Sequence, residues 1–404
     1  MQLLFLAQRI PFPANKGEKI RTFNQIKFLA QHNNKIIVLS PIETAQDVDY
    51  SRQLEHELLG VHSSQSTLSN KHWRLLKGIF TGEALSIANF YSKELQYQLD
   101  RHLKHNPIDA IFCTSSAMAK YLFESKTLNQ LEKKPKLIMD FMDLDSDKWG
   151  QYEHSSSIPM KWVYQREKHL IAEYEEKIKN AFDACFFISP NEVELFEQLV
   201  GETENIHVLG NGLCQEEFYP AKQPKTNPAP VFIFTGVMDY KPNIDAVIWF
   251  VQQCWPSILQ YNSGARFIIA GMSPTAEVKA LEKHKGIEVT GFVEDILPYY
   301  HKADYFVAPF RMARGVQNKI LQAFACGLPV ISTSMGAEGI DCKNEESILI
   351  ADSPEAFLNK IKMLEEDSEF KNNITRKALH LIESTYSWQG QLAPLARMLS
   401  LSGS

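Results

Sequence analysis

Short apolar runs punctuate the chain, and longer segments of mixed polarity separate them. In the first half the runs fall at residues 2–7, 35–40, 109–113, 136–141, 183–188 and 206–209. In the second half they fall at 231–235, 266–270, 287–290, 305–308 and 330–332. Runs that are apolar throughout, rather than at alternate positions, suit strands buried on both faces of a parallel sheet. Residues 18–31 and 161–180 read as helices between such strands. Residues 386–400 read as a last amphipathic helix, with Trp388, Leu392, Leu395 and Met398 on or near one face. The alternation predicts an α/β class with parallel sheets.

One segment breaks the rhythm. Residues 220–230, PAKQPKTNPAP, are rich in proline and polar side chains and have no apolar period, as in a linker. The expected organisation is a first domain at 1–219, the linker at 220–230, a second domain at 231–385, and a final helix within 386–404 that packs on the first domain. A chain of 404 residues is long enough for two separate cores.

Residues 304–339 carry the densest chemistry: DYFVAPFRMARGVQNKILQAFACGLPVISTSMGAEG. A strand at 305–308 runs into a loop, and Gly315 is expected to open a helix with Ile320, Leu321, Phe324 and Ala325 at helical spacing. Cys326-Gly327 stops that helix and Pro329 follows, as helix ends prefer. The loop 311–315 thus lies past a strand's carboxyl end, where open α/β sheets bind ligands. Arg311, Arg314 and Lys319 lie in or near the first turn. Positive charge at a helix N-terminus is unfavourable unless an anion offsets it, so the stretch reads as a phosphate site. Solvated surface arginines on a connecting loop are the alternative.

Loops of the first half carry two further candidates. In RIPFPANKGEKIR, residues 9–21, Gly17 lies at a strand-to-helix turn where a ligand can approach the backbone, although a plain connecting loop has the same appearance. After the strand at 136–141 come Asp143, Asp145 and Asp147. Such carboxylates can hold a hard cation or serve as acid and base. The calcium-loop spacing of glycine and closing glutamate is absent, and a solvated helix-capping loop is the plainer reading. The position past a strand end favours a substrate-facing role for one or two of the three. Residues 71–80, KHWRLLKGIF, interleave Lys71, Arg74 and Lys77 with Trp73, Leu75, Leu76, Ile79 and Phe80. The expected arrangement is a helix docked on the core with its lysines reaching out to water. Contact with an anionic membrane surface is the alternative.

Composition excludes some classes. Apolar content of 44% and charged content of 22% are ordinary for a soluble globular protein. A net charge of −6 argues against a dedicated nucleic-acid binder. None of the six cysteines forms a CxxC pair, which suggests neither zinc nor redox chemistry and fits a reducing cytoplasm. Residues 3–7 are too short for a signal peptide, and no run approaches the ~20 apolar residues of a membrane span.

Several motifs together resemble a known family. They are RIPFPANKGEKIRTF, DFMDLDSDKW, GNG, FTGVMDYKPN, ARGVQNKILQAFACGLPVI and GAEG. The chain resembles glycosyltransferases of the GT-B fold, within them family 4, and most of all the sugar transferases found beside exopolysaccharide and exosortase (PEP-CTERM) systems. The resemblance covers nearly the whole chain. It implies two Rossmann-like domains whose parallel sheets face a central cleft, with the C-terminal helix crossing back to the first domain.

The resemblance also implies roles. It places the donor diphosphate on the helix expected at Gly315, near Arg314, Val316, Gln317 and Asn318, with Lys319 neutralising charge. Gly236, Lys241 and Asn243 after the first strand of the second domain would also meet the diphosphate. Gly291 and Phe292 would lie near the nucleobase, and Gly17 would approach the diphosphate or acceptor. Asp143 and Asp145 become candidates for contacting the sugar or orienting the acceptor. Two departures stand out. The family usually carries two glutamates around this helix, and here those positions hold Arg314 and Gln322. The usual histidine of the first domain is replaced by Met142, and an arginine that often follows Gly236 is Val237. A glutamine can hydrogen-bond ribose hydroxyls, without charge assistance.

The reading is therefore a hexosyltransferase of exopolysaccharide synthesis. It would use a nucleoside-diphosphate sugar as donor and a lipid-linked or saccharide acceptor, retain configuration, and need neither metal nor bound cofactor. Its expected place is the cytoplasm, with peripheral contact at the inner membrane face as the alternative. Loss of both glutamates motivates a second reading, an inactive GT-B protein acting as nucleotide-sugar sensor or assembly scaffold. A nucleotide-sugar epimerase, which also uses two Rossmann-like domains, is the third.

Overall fold

The computed structural model describes residues 1–14, 17–155, 158–201, 204–222, 227–312 and 316–400. The chain forms two compact units. One comprises Met1–Asn211 together with Leu392–Ser404, and the other Gly212–Gln391.

The first unit is built on seven parallel strands: β1 (Gln2–Ala7), β2 (Lys35–Ile42), β3 (Val61–Thr67), β4 (Ala110–Thr114), β5 (Lys136–Met142), β6 (Ala184–Phe187) and β7 (Ile206–Val208). Their order is β3-β2-β1-β4-β5-β6-β7. The chain runs outward one way from β1 and then returns to start β4 on its other side, with Leu4 opposite Ile37 and Ile111. This reversal makes a crevice at the carboxyl ends of β1 and β4. Leu3, Leu4, Phe5, Leu6 and Ala7 are all fully buried, as the unbroken apolar run requires. Helix packing closes one face: Leu95, Leu99 and Leu103, spaced at helical period, are buried with Leu4, Leu6, Ile111 and Cys113. Each fully buried leucine contributes about 1.5–3 kcal/mol relative to exposure.

Four helices of this unit carry the site: α1 (Gly17–Gln31), α2 (Lys71–Thr81), α3 (Asp145–Ser155) and α4 (Met160–Ala181). The strand β3, VHSSQST, has no apolar run to announce it. It is an edge strand paired only with β2, and serine hydroxyls replace apolar packing: Ser51 bonds Ser63, and Ser66 bonds Ser92, each at 2.8 Å.

The second unit has six parallel strands: β8 (Val231–Thr235), β9 (Arg266–Ala270), β10 (Ile287–Gly291), β11 (Tyr305–Ala308), β12 (Val330–Ser332) and β13 (Leu349–Ile350). The order β10-β9-β8-β11-β12-β13 puts the reversal between β8 and β11. Helix α5 (Lys241–Trp249) follows β8, and α6 (Asn318–Ala325) follows β11. Gly327, at φ +68°, ends α6 beyond its cap Cys326. The last helix, α7 (Trp388–Met398), buries Leu392, Leu395 and Ala396. Among the described residues no helix is long and apolar enough to cross a membrane.

Helix α2 corrects an expectation. Its apolar side chains do not dock on the core: Trp73, Leu76, Ile79 and Phe80 are exposed, while Arg74 and Gly78 are buried. The inward side is fixed by polar and steric fit. The Arg74 guanidinium donates to the carbonyl of Ser69 and to Asn89 Oδ1. Gly78 packs so closely that a Cβ there would meet Ala88 Cβ at 2.8 Å.

Candidate functional site

In the first unit the strand ends form a cavity of about 410 Å³. Gln8 and Arg9 enter it from the loop after β1, Ser115 after β4, Met142, Asp143 and Asp145 after β5, Ile188 after β6, and Asn211 after β7. Gly17 and Glu18 at the start of α1 close one side. A glycine there leaves its side open, since nothing lies within 4 Å of an added Cβ. Two non-glycine residues of the lining have left-handed backbones, Ser115 at φ +82° and Met142 at φ +66°. At Met142 the register against β6 shifts by one residue, a bulge that turns the chain into α3. Such backbone costs energy and persists only where its surroundings hold it.

What holds this loop is a buried ion pair. Arg21 of α1 grips Asp140 of β5 with two bonds, Nε to Oδ2 at 2.7 Å and Nη2 to Oδ1 at 2.8 Å. Gln25 donates to the same carboxylate at 2.6 Å, and Arg21 Nη1 reaches Asn211 Oδ1 at 3.0 Å. Arg21 and Asp140 are 1% and 2% exposed. Two charges out of water are tolerated only with this degree of satisfaction.

Behind Asp145 lies a group of carboxyls that the sequence reading did not single out. Glu175 of α4 is fully buried and accepts the N–H of Ser146 at 3.2 Å, while its Oε2 has no partner. Burial, reinforced by Asp145, pushes the Glu175 carboxyl up to about 8. Burial also raises Asp145 to about 6, with Lys148 opposing, and Glu192 to about 7. Groups poised near neutrality can hold or pass a proton. A signal existed: Glu167, Ile171, Glu175 and Ile178 form the buried stripe of α4, so two acids share the apolar face. Asp143 is exposed and faces Lys148 at 3.8 Å. Among the described residues no group of three or more His, Cys, Asp or Glu side chains is arranged to hold a metal.

In the second unit, Gly236, Asn243 and Lys319 converge past the ends of β8 and β11. A Cβ on Gly236 would lie 2.7 Å from Asn243 Nδ2 and 2.9 Å from Lys319 Nζ, so the glycine is required by close approach. Asn243 donates from Nδ2 to the carbonyl of Val237 at 2.9 Å, which aims its Oδ1 at Lys319 Nζ, 2.6 Å away. The ammonium also lies 4.6 Å from the Phe234 ring centre and 4.9 Å from that of Phe310. Among the described residues it has no carboxylate partner. Burial lowers its pKa to about 7.

The neighbouring side chains are arranged differently from expectation. Helix α6 begins at Asn318, not at Gly315, because Gln317 has an extended backbone (φ −85°, ψ 92°) and caps the first turn. Arg314 and Gly315 lie outside the described residues. Arg311 is not a free cation, since Asp245 of α5 takes its guanidinium with two bonds. Gln322 accepts the Tyr300 hydroxyl at 3.0 Å, and Tyr300 in turn bonds Thr235 at 2.8 Å. Its Oε1 is thus engaged inside the unit. Lys241 is the exposed first residue of α5, and Asn318 and Val316 are exposed beside Gln317. Gly291 ends β10 at φ +68°, and Phe292 after it is 72% exposed. Asn243 and Lys319 therefore share one cluster with Gly236, whereas Lys241, Gly291 and Phe292 are placed on the surface of the same unit.

Comparison with known proteins bears on both units. Residues 229–367 match the family model described as "Glycosyl transferases group 1". A Klebsiella pneumoniae protein described as an uncharacterized 44.6 kDa protein in the cps region is 22% identical over 407 residues, covering 95% of this chain and 96% of that one. A glycosyltransferase from Rickettsia africae has a similar structure, with a TM-score of 0.63 at 14% identity over 100% of this chain and 99% of its own. Anabaena Alr3699/HepE in complex with UDP and glucose gives 0.59 at 15% identity over 99% of each chain. Sucrose-phosphate synthase from Thermosynechococcus elongatus gives 0.58 at 15% identity over 100% of each chain. The chain has the GT-B fold of two Rossmann-like units, and residues 229–367 of its second unit form a glycosyl transferases group 1 segment.

Proposed function

We propose that the protein is a hexosyltransferase that uses a nucleoside-diphosphate sugar as donor and a lipid-linked or saccharide acceptor, and that it acts in exopolysaccharide synthesis. The observation that carries this reading is Lys319. It is a desolvated lysine with no carboxylate partner among the described residues, set beside Gly236 at the strand-order reversal. An ammonium held this way has a place for an anion and regains its charge when one arrives. A solved relative with this fold binds UDP-glucose, and another relative is described from a cps region. Both support the donor class and the pathway.

In this reading the leaving diphosphate takes its charge stabilisation from Lys319 and from the N–H groups of the first turn of α6, together with Arg314. That arrangement needs no metal and suits front-face attack with retention. Asn243 orients Lys319. Asp143 and Asp145 meet the sugar or the acceptor hydroxyl, and Glu175 holds a proton behind them.

The test is a thermal-shift titration with UDP, GDP, ADP and their sugar conjugates in EDTA. A ligand at about 100 times its Kd adds about 2.7 kcal/mol, a visible shift. One nucleotide family raising Tm without metal supports the reading, and no shift with any of them refutes it. A second reading, nucleotide binding without transfer, draws on Gln322, whose Oε1 is already taken by Tyr300. Sugar transfer to any acceptor refutes that one.

A further inference from the structure

The outward face of α2 has no role in the site above. Trp73, Leu76 and Phe80 lie along one stripe of the helix, at 70%, 42% and 82% exposure. Apolar side chains exposed together mark an interaction site more often than chance. They line a cavity of about 680 Å³, within the range of about 300–1,000 Å³ usual for small-molecule sites. The lining also carries four cations, Arg74, Lys77, Lys93 and Lys120, against two carboxylates, Glu83 and Glu94. Lys120 is paired with Glu83, whereas Lys77 and Lys93 form no ion pair among the described residues. Arg74, 8% exposed, keeps its Nε without a partner.

The far wall of this cavity is shared. Ala88, Tyr91 and Ser92 face it, while Ser86 and Phe90 of the same segment face the carboxylate-lined cavity. That wall is fixed at both ends. The buried Glu167 carboxylate accepts the N–H of Leu85 at 2.8 Å and of Ser86 at 3.3 Å. The Tyr121 hydroxyl donates to the carbonyl of Phe90 at 2.7 Å and accepts the N–H of Ser92 at 2.8 Å.

We infer that this cavity seats the apolar chain of an anionic lipid acceptor. The chain lies against Trp73, Leu76 and Phe80, and its phosphate is held by Lys77 and Lys93. The head group then comes to the segment that borders Asp145. An apolar stripe with cations beside it suits an amphiphile of this chemistry and suits neither a free sugar nor a nucleotide. The inference deepens the proposed transfer by naming the acceptor class, and it rests on that reading for its meaning.

The test titrates the full-length protein with dimethylallyl, geranyl and farnesyl monophosphates below their micelle concentrations, with farnesol and inorganic phosphate as controls. Trp73 reports binding by fluorescence. Affinity is expected to rise at least about tenfold from the shortest to the longest phosphate, since each buried CH₂ contributes measurably. Phe80→Glu is expected to lose that gain, and Lys77→Gln with Lys93→Gln to remove the preference for farnesyl phosphate over farnesol. Circular dichroism and an unchanged UDP shift confirm that these variants fold. Affinity that does not change with chain length overturns the inference. So does sedimentation with anionic liposomes without binding of the monomeric phosphates, which assigns α2 to a bilayer surface instead. Failure of the UDP shift in the wild type, with farnesyl phosphate still bound, counts against the transferase and leaves the lipid site standing.

Discussion

In the first unit the strand ends hold Asp143 and Asp145 with Glu175 behind them; in the second they hold Lys319 beside Asn243 and Gly236. Both groups lie where the strand order reverses, so the topology is the same and the electrostatics are opposite. Desolvation acts on both. It raises the carboxyls toward neutrality and lowers the lysine toward neutrality, so each site is prepared in its uncharged form. The difference lies in what would restore charge. An arriving anion restores it at Lys319, whereas the carboxyls of the first unit gain or lose a proton. That division matches a donor diphosphate on one unit and an acceptor hydroxyl on the other.

The comparison can be broken most sharply at Lys319. Lys319→Ala is expected to lower sugar transfer by about 10²–10³-fold, the scale for losing one preorganised charge. Its melting temperature at pH 7 should not fall, because the lysine is desolvated without a compensating carboxylate. Steady-state kinetics beside calorimetry checks both halves.

Next in size is the support of the acidic site. Arg21→Met leaves Asp140 buried and unpaired and is expected to cost about 3–5 kcal/mol. Asp140→Leu added to it should recover most of that loss, measured by denaturant unfolding. The nucleotide Kd of the folded protein should stay unchanged, which separates this unit's scaffold from Lys319.

A smaller effect comes from Glu175. Its folded pKa, about 8, lies above that of the unfolded chain, so the native state binds the extra proton. Stability is therefore expected to fall as pH rises from about 4.5 to about 8. Glu175→Gln keeps an acceptor for Ser146 and removes the titration. Its Tm should exceed that of the wild type at pH 8, by roughly 2–4 °C per kcal/mol gained, and match it at pH 4.

Much of this fold was legible because parallel strands announce themselves as unbroken apolar runs, as at Leu3–Leu6 and Phe232–Phe234. The strand β3 was not, because serine hydroxyl pairs such as Ser51–Ser63 take the place of apolar packing. Helix α2 was read with the wrong side inward, since periodicity gives a face and not its partner. Only the fit of Gly78 to Ala88 and of Arg74 to Asn89 decides the direction. At the sites, Lys319, Gly236, Asn243, Asp143 and Asp145 were named from loop positions at strand ends. Asp140, Arg21 and Glu175 were missed because they act through pairing and burial across elements far apart in sequence. Arg311 shows the opposite error, a cation counted as free that Asp245 had neutralised.

The central claim is that an anion completes the Lys319 site. Isothermal titration calorimetry of UDP, in EDTA and in two buffers of different ionisation enthalpy, counts the protons taken up on binding. With Lys319 at about 7 in the free protein, binding at pH 8 should take up a proton, with uptake fading toward pH 6 and absent in Lys319→Ala. Binding with no proton uptake at pH 8, or with equal uptake in the alanine variant, would contradict the account.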